Sequence, residues 1–315
     1  MSYIESNLIN GTRYLYFVKK LSISGNNIRI KKFIGKENSQ ITKEEFLKKN
    51  LNELTLLEYK KRAPLLEAIN QKLYNTKTLH EMEKNTILLS NHLESRKAEE
   101  EFFNVFAKEF IFNSNNIEGS KIPREKVIEI IEKGNTKYEN RNEVKEVKNS
   151  IIAFQYLQDD FKFNQKSLMK LYSLLTSDLK REDGADYPAG FKKIDIIVGN
   201  SITTKPNQVK KEIRALFDWH KANKKKIHPL ELAFEFHLRY ESIHPFIDAN
   251  GRTGRMLMNK ILMQNYYLPI IIRKESKMAY FNSIEKAREG KKQKYYQFLV
   301  THANKTYKEL IKLFG

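Results

Sequence analysis

The chain of 315 residues contains no cysteine, which excludes disulfides, a thiol nucleophile and any zinc site built on thiolates, and fits a reducing compartment. No stretch approaches the roughly 18–20 apolar residues that a membrane helix needs. Nor do the amino-terminal residues run from basic to apolar to small as an export signal does. We therefore expect a cytoplasmic protein with no membrane partner. Acid is scarce: 38 Asp and Glu stand against 57 Lys and Arg, a formal net charge of +19, so anionic ligands must be considered. The excess is scattered through short runs such as KKFIGK, KANKKK and REGKKQK, and scattered lysines belong to solvated faces more often than to one binding stripe. Nucleic acid is accordingly not expected as a partner, and a phosphate-rich small ligand fits the charge equally well.

With 40% apolar residues the chain can bury a core, and neither an internal repeat nor a low-complexity linker interrupts it. Residues 13–34, RYLYFVKKLSISGNNIRIKKFI, place β-branched and aromatic residues on both sides of Gly25-Asn26-Asn27, which predicts a β-hairpin. Its lysines read best as protection of a sheet edge. From 43 to 165 apolar residues recur at helical spacing, with Pro64 as a kink or break. A helix through RKAEEEFFNVFAKEFIF stops near Gly119, and Pro123 stands where the next can begin. In the insert ADYPAGFKKIDIIVGNSITTKPNQV, Ile194, Ile196 and Val198 alternate up to Gly199-Asn200 and Ile202 resumes beyond, the pattern of a second, short hairpin. Helices follow to the end. The expected architecture is mainly α, with segments 1–42, 43–165 and 166–315.

The stretch HPFIDANGRTGR, residues 244–255, concentrates chemistry. Leu232, Phe236, Tyr240 and Ile243 mark one face of the helix before it. The helix after it begins near Asn250-Gly251 and is apolar almost all round through Met256, Leu257, Met258, Ile261, Leu262 and Met263, so its amino end is fixed in the interior. Unpaired N–H groups at that end, approachable beside Gly251, form an anion site. Arg252 and Arg255 stand three residues apart, where two guanidinium forks can hold further phosphate oxygens. Asp248 is a hard oxygen ligand of the kind Mg²⁺ uses when it bridges phosphates. His244 can accept a proton near neutral pH. A base, a metal ligand and a polyphosphate cradle together describe transfer of a phosphate-linked group to a hydroxyl.

These residues resemble the signature of the Fic (Fic/Doc) family, His-x-Phe-x-Asp/Glu-Gly/Ala-Asn-Gly/Lys-Arg-x-x-Arg, at every specified position, and the likeness extends over about 165–305 through HPLELAFEFHLRYESI, the insert ending KPNQV, and AYFNSI. The resemblance implies a Fic-type helical bundle that transfers AMP from ATP, with Mg²⁺, to a Ser, Thr or Tyr hydroxyl of a target protein or of the chain itself. It implies His244 as base and Asp248 as metal ligand. Asn250, Gly251, Arg252, Thr253, Gly254 and Arg255 become the nucleotide-binding loop, and Tyr280 is placed near the adenine. Val198, Gly199, Ile202 and Thr203 become a flap that docks the target as an added strand. Upstream, Ser114-x-x-x-Glu118-Gly119 resembles the family's inhibitory motif, which implies an N-terminal-inhibited enzyme whose Glu118 pairs with Arg255; an ordinary Schellman helix end at Gly119 is compatible with this. Other nucleotides, AMP removal and a basic nucleic-acid-binding regulator are the alternatives, and the oligomeric state stays open. His228 and His237 match no zinc spacing and read as cap and packing residues, as Trp219 reads as core.

Overall fold

A computed structural model of the protein describes residues 2–37, 39, 41–67, 69, 74–181, 183–199 and 201–314. The amino-terminal hairpin is present and a further strand precedes it: β1 (Ser2–Ile9), β2 (Thr12–Ile23) and β3 (Asn26–Lys36) form an antiparallel sheet in that order. Both of its turns are two-residue and left-handed, Asn10-Gly11 with φ of 49° and 75° and Ser24-Gly25 with φ of 51° and 76°. This is the backbone that suits the twist of paired strands. The β2–β3 turn therefore lies one residue before the expected Gly25-Asn26-Asn27. One face of the sheet packs Phe17, Leu21, Ile23, Ile28 and Ile30 against Phe46, Leu47 and Leu54 of α1 (Lys43–Glu67).

Helix α1 continues through Pro64, and its non-helical residue is Asn50, with φ −115° and ψ 16°. The Asn50 amide donates to the Phe46 carbonyl at 2.8 Å, a local bond that competes with the helical ladder. A buried polar chain fastens sheet to helices. Lys19 Nζ reaches Asn91 at 2.7 Å, Glu58 at 3.0 Å and Glu94 at 3.2 Å. Arg62 in turn bridges Glu58 and Glu83, and Glu83 accepts from Tyr267. Each buried charge thus meets an opposite one, without which burial costs several kcal/mol.

The helical body comprises α2 (Thr76–His92), α3 (Arg96–Glu118), α4 (Arg124–Lys133), α5 (Arg141–Asp159), α6 (Gln165–Thr176), α7 (Pro206–Asn223), α8 (Pro229–Ile243), α9 (Asn250–Met263), α10 (Lys277–Arg288) and α11 (Lys292–Phe314). One apolar cluster runs from Leu66 to Leu310, so the segments separated at 165 share a core. Phe102, Phe106 and Phe110 recur at four-residue spacing on α3 and pack in series, the last two also against Phe154 of α5. Helix α9 is buried along nearly its whole length, between α8, α3 and α5. Its start is the fixed point of the site. The insert folds as β4 (Ile197–Val198) paired with β5 (Ser201–Ile202); Asn200 of its turn lies outside the described residues. Among the described residues no helix is long and apolar enough to cross a membrane.

Candidate active site

Helix α8 ends at His244, whose left-handed backbone (φ 49°) caps it with an N–H bond to Tyr240 O at 2.9 Å. Pro245 then turns the chain away from helical continuation. Phe246 seats the loop by stacking on Tyr172 with ring centroids 3.9 Å apart. Asn250 closes it: its amide donates to Phe246 O and accepts from Phe246 N, both at 2.9 Å. That side chain is consequently spent on holding the loop. Ala249 is left-handed (φ 61°) at the N-cap, with no side-chain cap bond. Thr253 N–H is the first to pair backwards, to Ala249 O. The preceding N–H groups of the turn have no acceptor within the helix.

The two arginines diverge. Arg252 turns to α5, with Nη1 at 3.0 Å from Glu146 and Nη2 at 3.4 Å from Asp248. Arg255 turns to the end of α3. Its Nη2 lies 2.7 Å from Glu118 Oε1 and 2.9 Å from the Ser114 carbonyl, and Nε and Nη2 both donate to the Ser114 hydroxyl, at 3.1 and 3.0 Å. Gly119 ends α3 in the left-handed conformation with φ 119°, so the Schellman-type end and the Glu118–Arg255 pair coexist. Gly251 makes room for that pair: a Cβ there would fall 2.2 Å from Glu118 Oε1. Thr253 and Gly254 do not line the cavity beside His244. The Thr253 hydroxyl bonds back to Ala249 O at 2.8 Å, and Gly254 lets α8 and α9 approach, since a Cβ there would lie 2.6 Å from Glu241 Oε1.

Two cavities meet at Glu118. One of about 440 Å³ is lined by His244, Gly251, Arg255, Glu241, Tyr280 and Phe281 among others, with Val198 and Gly199 of the β-hairpin. The other, of about 670 Å³, is polar and holds Asp248, Tyr187, Glu146 and Arg181. Tyr280 is buried with its hydroxyl 2.9 Å from His237 Nε2. Phe281 and Asn282 accompany it along the wall. His237 Nδ1 meets Tyr295 OH at 2.8 Å, and that hydroxyl also donates to Phe234 O; the ring therefore donates from Nδ1 and accepts at Nε2 as a neutral imidazole.

Burial pushes His244 down to about 4, with Lys192 and Arg288 adding to the effect and Asp248 opposing it. The imidazole is thus an unprotonated acceptor at neutral pH. Burial opposes the Asp248 charge, yet Arg252, the Ala249 N–H and Tyr187 outweigh it and hold this carboxyl below the usual range. Glu241 is pushed the other way, up to about 7, by burial and by the Glu118 charge. Among the described residues no cluster of three or more His, Cys, Asp or Glu can cage a metal. Asp248, ionised and with a side chain 42% exposed, suits a cation whose other ligands come from phosphate and water.

Several residues of the site lie outside the motif. Lys192 ties the insert to the loop, its main-chain N–H donating to Pro245 O at 2.9 Å while Nζ bonds Thr203. Thr203 is buried and donates to Ile196 O, so it anchors the hairpin, whereas Ile202 is 75% exposed. Ser201 bonds Glu285 at 2.9 Å, and Glu285 pairs with Arg288, linking the hairpin to α10. Nothing local in the sequence around Lys192, Tyr187 or Glu146 signals these roles, because Lys192 meets Pro245, Tyr187 meets Asp248 and Glu146 meets Arg252, each more than fifty residues away.

Residues 162–262 match the model of the Fic/DOC family. The chain is 29% identical over 205 residues to the protein adenylyltransferase Fic of Nematostella vectensis, covering 62% of this chain and 47% of that protein. It is also 29% identical over 142 residues to that of Drosophila willistoni, covering 45% and 28%. The chain thus spans less than half the length of these curated relatives. Among solved structures, a Fic domain containing signaling protein from Bacteroides thetaiotaomicron superposes with a TM-score of 0.64 at 21% identity, over 75% of this chain and 97% of that one. Fic-1 from C. elegans gives 0.64 at 20% identity, over 86% and 81%. Domain match and relatives place a Fic/DOC family domain at residues 162–262 of this chain, and the fold agrees with that of Fic-domain structures.

Proposed function

We propose that the protein is a nucleotidyltransferase that moves AMP from ATP to a Ser, Thr or Tyr hydroxyl of a protein, itself included, and that Glu118 holds it in check. The observation that carries this reading is the convergence of a neutral His244, the open N–H groups of α9 and Arg255 on one cavity. His244 takes the proton of the incoming hydroxyl. The hydroxyl oxygen bonds to the α-phosphorus, the bond from that phosphorus to the bridging oxygen breaks, and pyrophosphate leaves with the electron pair. Charge that builds on the phosphoryl oxygens is met by the N–H groups at Asn250, Gly251 and Arg252, a preorganised array that needs no rearrangement during reaction. Arg252 and Arg255 take the remaining phosphates. Asp248 is the residue that would hold Mg²⁺, which when bound neutralises phosphate charge and stabilises the leaving group. The edge of the β4–β5 hairpin receives the target segment by main-chain pairing, with Val198 and Gly199 at the cavity.

In the resting state Glu118 occupies Arg255 and sits over Gly251, so a nucleotide has to displace a carboxylate before its terminal phosphate reaches the guanidinium. The test compares incorporation of label from α-³²P-ATP and γ-³²P-ATP into the protein and candidate targets, for the wild type, Glu118→Gly and Glu118→Gly combined with His244→Ala. Label from the α position, raised by Glu118→Gly and lost in the double variant, is the expected result. Label from the γ position alone would refute AMP transfer.

A further inference from the structure

The amino-terminal sheet lies outside residues 162–262 and takes no part in the site above. Phe17, Leu21 and Ile23 of β2 face α1, and Lys19 enters the buried polar chain. On the opposite face the register brings together Tyr3 with Val18, Glu5 with Tyr16, Tyr14 with Lys36, Tyr16 with Phe33, Val18 with Lys31, and Lys20 with Arg29. Four aromatic rings, Tyr3, Tyr14, Tyr16 and Phe33, therefore share one face with four cations, Lys20, Arg29, Lys31 and Lys36. They are interleaved: Phe33 lies 6.1 Å from Tyr14 and 5.6 Å from Tyr16 between ring centroids, Lys31 sits 4.0 Å over Tyr16, and Lys20 sits 5.5 Å from Tyr3. Phe33 is 53% exposed. About half of this ring is thus open to solvent, and it packs against its neighbours on the same sheet face. Among the described residues the one acid on this face, Glu5, pairs with Arg29 at 2.6 Å and Lys31 at 3.0 Å.

We propose that this face binds single-stranded nucleic acid, with bases stacked on Phe33 and its neighbouring tyrosines and with phosphates on Lys20, Arg29, Lys31 and Lys36. Rings and cations answer two different parts of such a ligand. An acidic protein segment would use the cations and leave the rings idle, whereas every base offers a π-face and every nucleotide a phosphate. A sheet face carrying aromatic residues is also a geometry on which unpaired bases are splayed and stacked, and duplex bases are not available for that. Glu5 is a local competitor for two of the cations, which the phosphates replace.

The full-length protein, titrated against fluorescein-labelled oligo(dT) and oligo(rU) of about 20 nucleotides and a duplex of equal length, is followed by anisotropy. We expect single strands to bind better than duplex. Four phosphate contacts give a logarithmic salt slope near −3, or about fiftyfold weaker binding at 200 mM than at 50 mM salt. Phe33→Leu, which keeps the apolar volume and removes the ring, weakens binding about tenfold with an unchanged slope. The pair Arg29→Gln with Lys31→Gln flattens the slope by about 1.4. Glu5→Gln tightens binding. Lys291→Gln with Lys294→Gln, distant exposed lysines of the REGKKQK run, leaves it unchanged. Preference between the DNA and RNA strands assigns the natural source. The proposal is overturned by absence of binding, by duplex or polyglutamate binding as well as the single strand, by a loss from the distant pair equal to that from the sheet pair, or by indifference to Phe33→Leu. AMP transfer is unaffected by the sheet variants, so this proposal and the catalytic one fail separately.

Discussion

Replacing Glu118 by alanine pits stability against activity in a way that can be worked out from one contact. Arg255 has a side chain 2% exposed, while that of Glu118 is 24% exposed. Breaking a fully buried pair costs about 3–5 kcal/mol, but here one partner reaches solvent and Arg255 keeps three hydrogen bonds to Ser114. A lost charge-assisted bond of about 1.5–3 kcal/mol is the better figure. For a chain of 315 residues, that lowers Tm by about 2–4 °C. The same free energy no longer opposes the nucleotide. If about 2–3 kcal/mol separates the braked from the competent state, transfer rises about 30- to 150-fold. Saturating MgATP should then stabilise the variant more than the wild type, which gives up its internal pair on binding. Thermal unfolding with and without MgATP, beside incorporation of α-³²P, measures all three. Equal MgATP shifts for both proteins, with unchanged transfer, would refute the reasoning.

His244→Ala is expected to abolish transfer while leaving MgATP binding by calorimetry within about twofold, since no phosphate contact is removed; retained transfer would take His244 out of the mechanism. Asn250→Ala strips Phe246 N–H and C=O of their partners and should cost about 2–4 kcal/mol in urea unfolding together with most of the activity; an unchanged midpoint would show the loop to be held otherwise. Stability should fall on acidification. His220 and His244, held down to about 4, and His228 and His237, to about 3, all stay neutral in the fold and bind protons when unfolded, so their contribution is present above pH 6.5 and drains away below it. Each loses about 1 kcal/mol between pH 6.5 and 5.5. Glu241, raised to about 7, has the opposite sign, gains on acidification and offsets one histidine. The net expected loss is about 3 kcal/mol by urea denaturation at the two pH values. A flat profile would mean that these imidazoles are solvated.

The structural frame of the loop at 244–255 was legible because the helix after it is apolar on nearly every side, which fixes its start in the interior. The Glu118–Arg255 contact was legible only through a likeness of motif, since 137 positions separate the partners and no periodicity connects them. Asn250 shows the limit of reading by residue type: an amide that can touch phosphate is engaged in holding Phe246. Tyr280 shows the same limit, its hydroxyl being taken by His237. At the other end of the chain, β1 was missed although Asn10-Gly11 is a strong hairpin signal. Its alternation SYIESNLI is weak in β-branched residues and half polar, so pairing with β2 determines it more than its own composition. Pro64 drew attention as the breaker in α1, where an unremarkable asparagine bends the helix instead.

The guanidinium of Arg255 is almost fully buried and is paired with one carboxylate, that of Glu118. Glu118 is tethered to the same polypeptide, so its local abundance does not change when the protein is diluted or concentrated. Under the proposed reading, a fixed internal ligand is traded against a variable external nucleotide. On that reading, a partner that moves the end of α3 would reset the threshold.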